Sequence, residues 1–144
     1  MSQAFLKASP PIDDVVGRAL LERRLPVLVS RRAARAPVGA AVIAWDGSPP
    51  AGRAVRAALP LLAMASQVTI LQCRAGLDTV AADADPRRLK DYLAVAGIDA
   101  GVSVIKGRRE GEAILAAACT RSADLLVAGA YSRPRLAEAV LGGA

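Results

Sequence analysis

GAAVIAWDGSPPAGRAVRAALPLLAMASQVTILQC, residues 39–73, decides how the rest of the chain is read. Its opening, GAAVIAWD at 39–46, is an apolar run of strand length with almost no polar interruption. That is the pattern of a strand covered on both faces, as in a parallel sheet flanked by helices. The turn residues GSPP follow, with Ser48 placed to cap a helix and Pro49 and Pro50 suited to its first turn. Over residues 51–64, Val55, Leu59, Leu62 and Ala63 recur at helical spacing, and Arg53 and Arg56 are left for solvent. A second strand-length run, VTILQC at 68–73, completes a strand–helix–strand unit.

The same alternation continues downstream. A helix is predicted over 85–96, closed by Gly97, then a β-branched strand in GVSVIKG at 101–107. Residues 110–120 read as a helix burying Ile114, Leu115, Ala118 and Cys119, and ADLLVAGA at 123–130 as another apolar strand. The chain is therefore expected to be α/β, an open parallel sheet with helices on both faces, because each crossover is right-handed. Sheets of this kind bind ligands at the carboxyl ends of their strands, here the loops after Ala44 and Ala128. Upstream, residues 12–24 read as a helix with Val15, Val16, Ala19 and Leu20 on one face. LPVLVS at 25–30 reads as a short buried strand, with RRAARAP as the linker beyond it.

Composition narrows the function. Of 144 residues, 53% are hydrophobic but only 3% aromatic, so the core is expected to be Ala, Val, Leu and Ile packed in layers. The sequence contains no histidine, which removes Ser-His-Asp and Cys-His nucleophile pairs, His-containing zinc sites and imidazole bases. The two cysteines, Cys73 and Cys119, sit in apolar runs and read as buried thiols rather than a disulfide. A formal charge of +6 allows a polyanionic partner, but the arginines occur as scattered pairs without interleaved aromatics, so no nucleic-acid partner is expected. No apolar stretch approaches the roughly 20 residues of a membrane span, and MSQAFLKASPPIDD is not a leader, so a cytoplasmic protein without a membrane partner is expected.

Candidate chemistry gathers at strand ends. Asp46 follows the first strand, where a carboxylate accepts hydrogen bonds from a ribose or an adenine amino group; the competing reading is a turn or capping aspartate. Gly129 ends the last strand, and Gly142 with Gly143 follows a short predicted helix. Glycines at such turns let backbone amides approach phosphate, although glycine pairs also simply end helices. Arg133 and Arg135 lie between those glycines, with charge suited to phosphate.

These two regions resemble a known family. Residues 39–73 are similar to the first strand, helix and strand of a universal stress protein domain, and ADLLVAGAYSRPRLAEAVLGG at 123–143 looks like its final strand and nucleotide loop. The resemblance covers about residues 38–144 and implies a Rossmann-like fold of the adenine nucleotide alpha hydrolase type. ATP-binding members carry glycine, two residues, glycine, nine residues, then glycine and serine or threonine. Gly129 and Gly142 match; the middle glycine is Ser132 here and the terminal hydroxyl residue is Gly143. Ser132 adds a side chain where the backbone needs freedom, and Gly143 removes a hydroxyl donor. The family's aspartate after the first strand matches Asp46.

The resemblance implies a non-catalytic stress protein that binds ATP or another adenine nucleotide, with Mg accompanying it if any metal does. The implied site is Asp46, Gly129, Ser132, Arg133, Gly142 and Gly143. It also implies that 1–37 is the tail of a preceding repeat and 38–144 a domain lacking its own last strand. Residues 25–30 then supply a fifth strand, within the chain or exchanged in a homodimer. The alternatives are a dimerisation module that holds no nucleotide, and an adenylyl-transfer or electron-transfer enzyme. Against the latter, WDGSPP stands where a glycine-rich loop belongs.

Overall fold

The computed structural model describes residues 18, 19, 26, 27, 38–74 and 84–129. Two compact units divide the chain, Met1–Ala33 and Ala34–Ala144. In the first, Arg18 and Ala19 are helical, whereas Pro26 and Val27 are exposed and belong to no strand. The rest of the strand expected at 25–30, and with it the fifth strand of the sheet, lies outside the described residues.

The second unit runs β1 (Ala40–Ala44), α1 (Pro49–Met64), β2 (Gln67–Cys73), α2 (Pro86–Val95), β3 (Ala100–Ile105), α3 (Glu110–Thr120) and β4 (Leu125–Ala128). Its sheet has the order β3-β2-β1-β4, and every pairing is parallel. Alternation along the strands divides the core in two. Ala41, Ile43, Val68, Ile70, Ala100 and Val127 face Val55 and Leu62 of α1 and Leu89 and Leu93 of α2. Val42, Ala44, Leu71, Cys73 and Leu126 face Ile114 and Ala118 of α3. Burial on both faces is what the uninterrupted apolar runs require, and it gives the expected helix layers on either side of a parallel sheet.

Local chemistry fixes the ends of the elements. Ser48 caps α1, its hydroxyl accepting from Ala51 N at 3.3 Å, with Pro49 and Pro50 in the first turn. Asp85 caps α2 by accepting from Arg87 N at 2.9 Å. At the amino rim Asp124 Oδ2 accepts from Gly39 N at 2.9 Å and from Ala40 N at 3.3 Å, tying the start of β4 to the start of β1.

Two expected core positions are corrected. Cys119 is exposed, because the buried line of α3 runs Gly111, Ile114, Ala118 and the next residue is turned about 100° away from it. For the same reason Ala63, one residue past buried Leu62, faces solvent. Leu59 and Leu115 are half-buried, and both cysteines are free, Cys73 within the core. No helix among the described residues is long and apolar enough to cross a membrane.

Candidate functional site at the carboxyl rim

The strand order creates a switch point. The chain moves from β1 to β2 and β3 on one side, then crosses back to place β4 on the other side of β1. In open parallel sheets the crevice lies outside the carboxyl ends of the strands where the order reverses, here β1 and β4. Those ends are level, with Ala44 beside Ala128.

From β1 the chain enters Trp45, Asp46, Gly47 and Ser48 before α1. Asp46 Oδ1 accepts from Ser48 N at 2.9 Å, and Gly47 takes a left-handed φ of +75°, which a side chain would strain. The aspartate thus has the turn-forming role set beside its ligand role by the sequence reading. The turn also holds its half-buried carboxyl group at the rim.

From β4 the chain enters Gly129, which is buried. A Cβ there would lie 2.5 Å from Ala51 N and 2.8 Å from both Ala51 Cα and Pro50 C. Only glycine lets this strand end lie against the first turn of α1, so close approach rather than a left-handed backbone demands it here. Asp46 and Gly129 therefore both converge on the start of α1. Ser132, Arg133, Arg135, Gly142 and Gly143 lie outside the described residues.

That helix start is poor in free donors. Pro49 and Pro50 have no N–H, Ala51 N is taken by the Ser48 hydroxyl, and Gly52 N donates to Ser48 O at 3.0 Å. What the turn offers an anion is the partial positive charge of the helix end. Side-chain charge lies nearby in the fold: Arg74 follows β2, and Lys106, Arg108 and Arg109 follow β3, all four exposed. Arg109 pairs with Glu112 at 3.1 Å, an exposed contact of little energetic weight.

Two rim residues were not singled out from the sequence. Trp45 N donates to Leu71 O at 2.9 Å, which continues the β1–β2 register and sets Trp45 beside Gln72. Gln72 is fully buried, and its Nε2 donates to Ala84 O at 2.6 Å. Among the described residues neither Trp45 Nε1 nor Gln72 Oε1, both buried atoms, has a hydrogen-bond partner. The available signal was a lone amide inside the apolar run VTILQC.

Fold and rim together define a class: a parallel α/β domain with helices on both faces and a candidate ligand site at its switch point. The chain is similar to the crystal structure of a protein from the universal stress protein family from Burkholderia pseudomallei, at 25% identity and a TM-score of 0.53, over 72% of this chain and 88% of that one. It is also similar to the crystal structure of protein Rv1636 from Mycobacterium tuberculosis H37Rv, at 25% identity and a TM-score of 0.52, over 66% of this chain and 73% of that one. No family model and no curated protein matches the chain. In structure as in sequence, the chain resembles the universal stress proteins.

Proposed function

We propose that this chain is a stress-response protein of the universal stress protein kind that binds an adenine nucleotide, ATP foremost, at the carboxyl rim without notable catalysis. The observation that carries the reading is the meeting of the Asp46 turn and Gly129 at the switch point, against one helix start. Asp46 accepts from the nucleoside, and the residues beyond Gly129, Ser132, Arg133, Gly142 and Gly143 among them, hold the phosphates. That division of labour follows from the α1 start, whose prolines and Ser48 leave few amides for an anion. Any Mg arrives with the phosphates rather than on a preformed protein site. The absence of histidine from the sequence supports a binding rather than a hydrolytic role. The similarity to a universal stress protein supports the stress-response assignment.

Isothermal titration with ATP and AMP tests this. ATP is expected to bind the parent chain, and Asp46→Ala to bind at least about tenfold more weakly, the effect of one lost charge-assisted hydrogen bond. Equal affinity in the variant removes the role given to Asp46.

A second reading, a homodimeric interaction module without nucleotide, is favoured by the edge strand β3, which among the described residues pairs only with β2. Val102 and Val104 on β3 are 40% and 44% exposed, and an apolar edge strand invites pairing. In this reading residues 25–30 add to the sheet of a neighbour. Deleting residues 1–30 then abolishes the dimer in sedimentation equilibrium, whereas a soluble dimer of unchanged affinity contradicts it.

A further inference from the structure

We infer that Trp45 and Gln72 form a base-reading pair, taking the edge of a ligand ring on which a hydrogen-bond acceptor and an amino donor stand side by side. The inference rests on the nucleotide reading above and adds what recognises the base.

The register places these residues on neighbouring strands at the carboxyl rim. Ala44 pairs with Leu71, and Trp45 N bonds Leu71 O, so Trp45 lies opposite Gln72. Both lie on the α1–α2 face. Trp45 packs against the cluster holding Ile43, Val68 and Ile70, and Gln72 continues the alternation of Val68 and Ile70 while Leu71 and Cys73 take the other face. Parallel neighbours are about 4.8 Å apart at the backbone, close enough for one small molecular edge to meet both side chains.

Their chemistry is complementary. Indole Nε1 is only a donor, and Gln72 Oε1 only an acceptor once Nε2 is engaged by Ala84 O at 2.6 Å. That bond fixes the orientation of the amide and points away from a chance arrangement of a surface glutamine. Both atoms are buried, and among the described residues both are unpartnered. Such groups are rare in folded proteins because each forfeits its bond to water, so something is expected to satisfy them. An adenine edge does so with one group: a ring nitrogen accepts from Trp45, and the adjoining 6-amino group donates to Gln72. Trp45 immediately precedes Asp46, so the base reader and the nucleoside-binding carboxylate sit on consecutive residues of one turn.

The test compares ATP with purine riboside triphosphate, which lacks only the 6-amino group. The parent chain is expected to prefer ATP by roughly tenfold to a hundredfold, the range for leaving one buried acceptor unpaired. Gln72→Met, close in shape, is expected to abolish that preference while still binding both. An unchanged preference in Gln72→Met overturns the pair and leaves the nucleotide reading standing, as does equal binding by the parent chain, the result a bridging water would give. If neither nucleotide binds, both readings fall. A measurement on the parent chain needs no variant: Trp45 is the only tryptophan, so the single indole N–H resonance reports on it alone. Saturation with ATP is expected to shift that resonance, and a resonance unmoved at saturation overturns the inference.

Discussion

Gly129 shows how one residue serves two arguments. The sequence offers it as a glycine placed for its amide to meet phosphate, but the distances give it a prior duty, since a methyl group there would stand 2.5 Å from the backbone of Ala51. Gly129→Ala is therefore expected to cost about 1–3 kcal/mol of stability in urea denaturation whether or not a ligand is present. An unchanged midpoint contradicts the close approach. Asp46 separates in the opposite sense. Asn in its place still accepts from Ser48 N, so Asp46→Asn is expected to keep the Ser48 turn while weakening nucleotide binding in isothermal titration through loss of charge. That Asp46 and Gly129 were worth attention was legible in the chain, because both stand at the ends of apolar runs. The unpartnered atoms of Trp45 and Gln72 were not, because hydrogen-bond satisfaction belongs to contacts between strands that a single run of letters does not contain.

Elements were read well where their signals are local. Ser48, the following prolines and the apolar repeat fixed the start and extent of α1, and Asp85 and Gly97 bracket α2 as anticipated, Gly97 with φ of +78°. The phase of α3 was read less well. AILAAAC carries no polar residue to mark the solvent side, so Cys119 was placed inward when only Ile114 and Ala118 of that stretch are buried. Within α1, Pro60 lies exposed in the helix interior and denies the carbonyl of Arg56 its usual donor. Pro60→Ala is expected to raise stability by about 1–3 kcal/mol, seen as a higher melting temperature. A lower one would mean that α1 needs its proline to fit the sheet. Ser48→Ala should cost about 1 kcal/mol through the lost cap.

At the scale of the molecule, the alternation of apolar strands and amphipathic helices announced a parallel α/β layer structure, because only strands buried on both faces tolerate such continuous hydrophobicity. The order β3-β2-β1-β4 was not written in any one segment, since it depends on which strand edges meet across long stretches of chain. Yet that order makes the candidate site, by setting the end of β4 beside the end of β1. On the reading proposed above, a nucleotide binds at this junction and nowhere else on the described sheet. Backbone amide shifts during a titration with ATP test it directly. Changes are expected to concentrate at Trp45, Asp46, Gly47, Ser48 and Gly129, with Gly39, Ser66 and Asp124 at the amino rim unmoved. Changes centred on that opposite rim, or none at millimolar ATP, would contradict it.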